Sequence, residues 1–378
     1  MSSLRRCVAR LFVVLFSGLL GLPPASLAQT RSGRKPIPVV FDSDMGPDDL
    51  MALVFILRHP GFDLRAVTVV GNGLTTCPHG ATNAQYLLEM SSRHRAVPVG
   101  CGSRWPMDGY ASYPGQWVEN SITLLGESAT TNRRAFPFED SPRLLARLLR
   151  ESNEPLEIIA TGALTNIAAV TKAEPQLRRK ISRITTMGGA VDVPGNLRVH
   201  GFTENHPNTK AEWNYYIDPQ AARSVFQSGI PIRLFPLDAT NNVPLTDTFV
   251  QRVKESPASP LQAFAARLLD RIRQSTNNGE YYHWDPLAAV TAIHPEVCVK
   301  AESRRLTIDT NTGKDYGLLT GRPWQAFPHA AFNGKARVAL GDRAGSIIES
   351  ATANTIDVCL HANAATFESR YLGALRPP

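Results

Sequence analysis

Short apolar runs alternate with stretches of helical apolar periodicity along most of the chain. Pro38 to Phe41 is a continuous apolar run that reads as a buried strand, and Leu50 to Leu57 follows with the spacing of a helix. The alternation recurs as a strand at 62–72, a helix at 79–93 and a short strand at 96–100. It resumes with a helix at 142–152, a strand at 155–160, a helix at 161–170 and a strand at 183–190. A helix from Pro219 to Gln227, a strand at 231–238, a helix at 261–274 and a helix opening at Asp285-Pro286 come next. Beyond 297, β-like runs at 304–310, 336–340 and 355–361 precede a final helix at 364–374. Strands alternating with helices of this length predict an α/β fold, a single domain with a mainly parallel central β-sheet flanked by helices.

Two stretches interrupt the pattern: 101–140, rich in Gly, Pro and aromatics, and the polar loop 191–211. Loops of that length inside a compact domain are more often functional than idle. Asp42, Asp44, Asn72, Thr161 and Met187-Gly188-Gly189 all fall just after predicted strands, at the carboxyl edge of the sheet, where open α/β folds bind ligands.

The densest chemistry lies between the first strand and the first helix, where Asp42, Asp44, Asp48 and Asp49 fall within eight residues. Gly46-Pro47 marks the junction, and Pro suits a first helical position because its missing N–H is not needed there. Asp48 and Asp49 alone fit an ordinary acidic helix start. Asp42 and Asp44 add two charges to the same corner and need a cation to neutralise them, and oxygen-only ligands favour Ca²⁺ or Mg²⁺ over zinc.

Residues 1–28 read as a secretory signal peptide: Arg5, Arg6 and Arg10, the apolar run 11–22, too short for a bilayer, and small residues ending at Ala28. The protein is expected to be exported, with residues 29–378 as the working domain. This leader holds three arginines and no acid, so its removal takes the net charge from +7 to +4. With no run of Lys and Arg interleaved with aromatics, that mild charge argues against nucleic acid as a partner, and no later stretch approaches a membrane span. Cys77, Cys101, Cys298 and Cys359 remain, an even number without zinc spacing. Cys77 and Cys101 both follow strands on one side of the sheet and are the preferred pair; four unpaired, small apolar residues are the alternative.

The motifs resemble the inosine-uridine-preferring nucleoside hydrolase family from about residue 36 to 295. The resemblance rests on DSDMGPDD (42–49), VVGN (69–72), ATGALTNIA (160–168), MGGAVDVPGN (187–196), AEWNYYIDP (211–219), LDATNNVP (237–244) and WDPLAAV (284–290). It implies hydrolysis of the N-glycosidic bond of ribonucleosides to ribose and free base, with one bound Ca²⁺. Residue by residue, it implies that Asp44, Asp49, Asp285 and the carbonyl of Thr161 hold the calcium. Asp44 is also implied as general base on the attacking water, with Asp42 orienting it from behind. Asp48, Asn72, Asn196, Glu212 and Asn214 match ribose-binding positions, and Met187 lines the same pocket. The resemblance further implies a homodimer or homotetramer.

Taken singly, these residues have plainer readings: Asn72 and Asn196 as turn residues, Glu212 as a solvated helix charge, Asp285 as an N-cap. Many family members place a His just before the last calcium aspartate to protonate the departing base. Here that position is Trp284, with His283 one residue earlier. Trp284, EYYHWD (280–285) and the YPGQW ending at Trp117 resemble the purine-specific branch, in which two tryptophans sandwich the base; Trp117 and Trp284 are the expected pair. A core aromatic is the other reading of Trp117. Asn72 instead resembles less selective members. His283, His200, His206 and solvent remain as candidate acids, with His200 and His206 more simply read as exposed loop residues.

Two other classes compete. An apolar strand ending in DxD also opens haloacid-dehalogenase-like Mg²⁺ phosphatases, and GDRAG (341–345) echoes their acidic motif, but Gly46 stands where Thr or Val is wanted. A non-catalytic exported nucleoside-binding protein is the second, against which the full set Asp44, Asp48, Asp49 and Asp285 argues.

Overall fold

The expected alternation assembles into one sheet with helices on both faces. The computed structural model describes residues 35–91, 97–107, 111–127, 138–255, 259–276, 280–311 and 340–376. The expected leader (1–28) and nearly all of the β-like run at 336–340 lie outside the described residues. The strands are β1 (Ile37–Ser43), β2 (Phe62–Val69), β3 (Val99–Cys101), β4 (Glu139–Asp140), β5 (Leu156–Ala160), β6 (Ile181–Met187), β7 (Ile232–Phe235), β8 (Cys298–Ile308), β9 (Ile347–Glu349) and β10 (Thr355–Ala362). Their order across the sheet is β4-β3-β2-β1-β5-β6-β7-β10-β8-β9. Pairing is parallel from β4 through β10, and β8 alone runs the opposite way, pairing antiparallel with β10 on one side and with β9 at the edge on the other.

β1 lies inside the sheet, between β2 and β5, with Asp42 opposite both Thr68 and Ala160. Its side chains alternate between the two faces, as strand geometry dictates. Val39 and Phe41 pack into one core with the helices Pro47–Arg58, Pro260–Ser275 and Trp284–Ile293. Val40 packs into the other with the helices Ser141–Glu151, Thr165–Ala173 and Pro219–Phe226. A parallel strand covered on both faces reads as a near-continuous apolar run, which is why PVVF was legible as one.

Every residue of the helix Pro47–Arg58 from Asp48 to Leu57 is buried. Phe55 stacks on Tyr371 at 5.6 Å between centroids and meets Phe62 edge-on at 6.2 Å. The helix therefore cannot shift without opening the core, and its acidic first turn is fixed at the sheet edge. Cys77 pairs with Cys101 (Cα–Cα 5.6 Å) and Cys298 with Cys359 (5.9 Å).

Several boundaries differ from the sequence reading. The strand expected to reach 190 ends at Met187, because Gly189 turns the chain with φ +74°. That expected to reach 238 ends at Phe235, where Pro236 precedes a short helix, Leu237–Thr240. The stretch 101–140 is not wholly irregular: it contains the helix Gly115–Ile122, of which only Ser121 is buried, so no apolar period announces it. The helices Trp213–Ile217 and Asp247–Lys254 were also unforeseen, and β8 begins at Cys298, earlier than expected.

Phe55→Ala removes the ring that joins this helix to Tyr371 and is expected to cost about 3–5 kcal/mol of stability. A urea unfolding midpoint within error of the wild type would contradict that packing account.

Candidate active site

β1 delivers Asp42 and Ser43 to the carboxyl edge of the sheet, and a tight turn then reverses the chain into the helix Pro47–Arg58. Met45 occupies the left-handed region at φ +59° although it has a side chain. Such a residue costs of order 1–3 kcal/mol and persists only where its surroundings hold it. Met45 N–H donates to Ser43 Oγ (2.9 Å), and Gly46 N–H donates to Asp49 Oδ2 (2.8 Å). The turn is thus fastened from both sides, and it places Asp44 beside the first helical turn.

Asp44 is 1 % exposed. Its Oδ2 accepts from Leu74 N–H at 3.0 Å, and its carbonyl accepts from Thr75 N–H (3.0 Å) and Thr75 Oγ (2.7 Å). Its Oδ1 is buried without a hydrogen-bond partner among the described residues. Two glycines make room for it: a Cβ on Gly73 would collide with the Asp44 side chain, and one on Gly162 would stand 2.9 Å from Asp44 N. Asp49 Oδ1 accepts from Ser43 Oγ and Thr161 Oγ, both at 2.6 Å. The capping reading of Asp49 is thus half right, since one oxygen caps Gly46 and the other faces the site.

The helix Trp284–Ile293 brings Asp285 in from far along the chain. Oxygens of Asp48, Asp49 and Asp285 lie within 4.8 Å of one another, and Asp44 adjoins Asp49. Asp285 is not an N-cap; it lies in the first turn, after His283. Burial is the first cause that raises all four carboxyl pKa values, and the neighbouring carboxylates add to it for Asp44, Asp48 and Asp285; Asp48 reaches about 7. Behind them Asp42 accepts from Thr68 Oγ (2.6 Å) and Asn166 Nδ2 (2.8 Å), and burial lifts it to about 7.

The remaining sugar-side candidates come together on the loops after β2 and β6. Glu212 is not a solvated charge. It is 3 % exposed, accepts from Gly189 N–H (2.8 Å) and Asn214 N–H (2.9 Å), and is raised to about 7 by burial. Asn214 Nδ2 donates to the Met187 carbonyl (3.3 Å), and its Oδ1 accepts from Tyr113 OH (2.9 Å). Asn196 holds the start of the helix Trp213–Ile217, its Oδ1 accepting from Trp213 N–H at 3.2 Å. Asn72 is 6 % exposed and donates to Thr165 Oγ at 3.0 Å, so it is more than a turn residue.

The two tryptophans sit in separate aromatic groups. Trp117 meets Tyr113, Trp213 and Phe202 at 6.5, 5.7 and 5.4 Å, and is only partly buried, so it is not simply a core aromatic. Trp284 packs edge-on against Tyr281 at 4.7 Å. His283 turns away into the core, against Phe249 (4.6 Å) and Phe367 (4.8 Å), and burial lowers it to about 3. It stays neutral at working pH and is no general acid. His206 is buried and not an exposed loop residue: it meets Tyr216 OH at 3.1 Å, and its Nδ1 accepts from Asn208 N–H. His200 is exposed.

Residues 39–369 match the family described as inosine-uridine preferring nucleoside hydrolase. The chain belongs to this family. This nucleoside hydrolase is 32 % identical over 298 residues to the pyrimidine-specific ribonucleoside hydrolase RihA of Citrobacter koseri, covering 75 % of this chain and 90 % of that protein. It is 31 % identical, with the same coverage, to the RihA of Klebsiella pneumoniae. Its fold superposes on an inosine-uridine preferring nucleoside hydrolase from Bacillus anthracis with a TM-score of 0.67 at 21 % identity, covering 90 % of this chain and 99 % of that one. A purine-preferring ribonucleoside hydrolase from Gardnerella vaginalis gives 0.66 at 21 % identity, covering 89 % and 98 %. The phosphatase alternative falls with the family match.

The donor set of this hydrolase suits a hard cation. Asp44, Asp48, Asp49 and Asp285 are at most 9 % exposed, and no Lys or Arg among the described residues pairs with any of them. Removing so much charge from water without a counter-ion is strongly unfavourable. Asp44 Oδ1 adds a buried acceptor with no hydrogen-bond partner among the described residues.

The sequence reading missed two tyrosines of the site. Tyr281 is raised by burial and then by the charges of Asp48 and Asp285, and Tyr113 is raised by burial and then by the charges of Asp44 and Glu212. Tyr113 stands in YPGQW and Tyr281 in EYYHWD, where only the tryptophans drew notice.

Gly73→Ala drives a methyl group into Asp44 and is expected to lower kcat by about 100-fold, the scale of a 1 Å misplacement, with little change in far-UV circular dichroism. Near-normal turnover would show that Asp44 need not stay where it is. His206 gives a pH prediction. Its pKa is lowered in the fold, chiefly by burial, so the stability it contributes is complete above its unfolded value of about 6.5 and is lost as pH falls from there toward the folded value. His206→Gln is expected to flatten that part of the urea-midpoint profile; an unchanged slope between pH 7 and 5 would contradict it.

Proposed function

We propose that this nucleoside hydrolase is an exported, calcium-dependent enzyme that prefers purine ribonucleosides. The observation that carries the reading is the convergence of Asp48, Asp49 and Asp285, with Asp44 beside Asp49, in one buried cluster that no Lys or Arg among the described residues pairs with. Asp44, Asp49, Asp285 and the Thr161 carbonyl hold the ion. When bound, Ca²⁺ neutralises these carboxylates, helps to fix the sugar hydroxyls and makes the attacking water more acidic.

Asp44 accepts the proton of the attacking water at Oδ1, its side chain held by the Leu74 N–H. Asp48, Asn72, Asn196, Glu212 and Asn214 hold the ribose, and Met187 closes the pocket beneath it. Glycoside hydrolysis passes through an oxocarbenium-like transition state. Carboxylates fixed beside that developing positive charge stabilise it more than the neutral substrate. Asp42 keeps Asp44 in place through its ties to Thr68 and Asn166. Trp117 and Trp284 take the faces of the base. With His283 neutral and turned into the core, the leaving base draws its proton from solvent.

A pyrimidine preference is the second reading, favoured by the relatives named pyrimidine-specific. A reducing-sugar assay on inosine, guanosine, adenosine, uridine and cytidine decides between the two, and absence of ribose from all five with calcium present would reject hydrolysis altogether. If nucleosides bind under those conditions, the non-catalytic binding reading stands instead. Asp44→Asn is expected to abolish turnover and leave nucleoside binding largely intact; undiminished turnover removes Asp44 from the mechanism. A calcium chelator is expected to stop turnover and lower the thermal midpoint, with both restored by Ca²⁺. Trp117→Ala and Trp284→Ala are each expected to weaken purine binding by about 1–3 kcal/mol. Equal losses for uridine and inosine would reject the stacking preference. Export predicts a mature N-terminus just after Ala28, read by sequencing the extracytoplasmic protein.

A further inference from the structure

A chain of buried hydrogen bonds reaches the site from a residue that the mechanism above does not use. Asp218 is fully buried, and its oxygens take donors from the described residues Met107, Thr165 and Ala221. Oδ1 accepts from Ala221 N–H at 3.0 Å, while Oδ2 accepts from Met107 N–H and from Thr165 Oγ, both at 2.7 Å. Capping the helix Pro219–Phe226 accounts for Oδ1 alone. Oδ2 does something else: it fixes where the Thr165 proton goes.

A hydroxyl has one proton. That of Thr165 is committed to Asp218, so its oxygen offers Asn72 only lone pairs. The Asn72 atom 3.0 Å away is therefore the amide nitrogen, and the orientation of the amide follows from the proton count. The other end of the amide, Asn72 Oδ1, is buried and has no partner among the described residues. Asn72 adjoins Gly73 and Leu74, which contact the Asp44 side chain, so this oxygen is held at the same edge as the proposed base.

We infer that Asp218 and Thr165 are positioning residues that lock the Asn72 amide with its carbonyl oxygen toward the sugar, so that position 72 accepts a hydrogen bond from a ribose hydroxyl. Met107 enters the same junction through its N–H, which ties the end of the loop after β3 to this polarity. The inference rests on the nucleoside-hydrolase reading of the site.

The test is kcat/KM on the preferred ribonucleoside and its 2′-, 3′- and 5′-deoxy analogues, for the wild type, Thr165→Val, Thr165→Ser, Asn72→Ala and Thr165→Val/Asn72→Ala, with thermal midpoints alongside. Thr165→Val keeps the shape and removes the hydroxyl, and is expected to lower kcat/KM about tenfold on the ribonucleoside, the size of one hydrogen bond. It is expected to leave one deoxy analogue nearly unaffected, because that analogue lacks the hydroxyl concerned. Thr165→Ser restores the rate, and Thr165→Val adds no further loss once Asn72 is Ala. Full activity of Thr165→Val, or the same loss with and without Asn72, overturns the inference while leaving nucleoside hydrolysis intact. A wild type that releases ribose from no nucleoside overturns both.

Discussion

Four carboxylates held out of water without a positive side chain set the terms for the rest of this structure. Each is raised by burial, and mutual repulsion adds to the cost for three of them. A fold tolerates such a cluster only if something rigid resists its separation and something cationic relieves it. The rigid part is visible in two helix starts at one sheet edge. Pro47–Arg58 is locked between sheet and core by Phe55 and Tyr371, and Trp284–Ile293 packs beside it. Neither helix can relieve the repulsion by moving without giving up its apolar contacts.

The chain that surrounds the cluster is shaped to it at the level of single atoms. Met45 adopts a conformation that side-chain-bearing residues seldom take, and Gly73 and Gly162 omit the Cβ atoms that would displace Asp44. Ser43 and Thr161 give both their hydroxyl protons to one oxygen of Asp49. The hydrogen bonds that fasten Asp42, Asp44 and Asp49 come from β1, β2, the loops after β1, β2 and β5, and the helix Thr165–Ala173, so their geometry is a property of the assembled sheet edge. The same holds further out, where Asp218, Thr165 and Asn72 link three segments through two shared protons.

The two tryptophans proposed to face the base are set differently. The carboxylate cluster is rigid and buried, whereas Trp117 and Trp284 belong to separate aromatic groups at the rim, one on a helix with almost no buried face. Relatives and fold neighbours of this chain carry names from both sides of the purine and pyrimidine divide. On the proposed reading, the ribose and its transition state are common to all nucleosides, and selectivity falls to flat faces that stack with little directional constraint.

The sequence by itself determined the alternation of strands and helices, the parallel sheet, the acidic first turn and the family. All of these are local or periodic, and a buried parallel strand or an all-round apolar helix leaves its mark in consecutive residues. Glu212, Asn72 and Asp285 were legible as candidates only through motif resemblance, since each residue alone fitted capping or turn chemistry. Only the tertiary structure decided that Asp285 joins Asp48 and Asp49, that Glu212 is buried, that His206 is held by Tyr216 and that His283 faces Phe249 and Phe367. It also brought Tyr113 and Tyr281 to the carboxylates and Asp218 to Thr165, although each stands in a motif whose other residues carried the resemblance. The physical reason is that burial and proton direction depend on neighbours brought in from distant segments, and a single chain position carries no record of them.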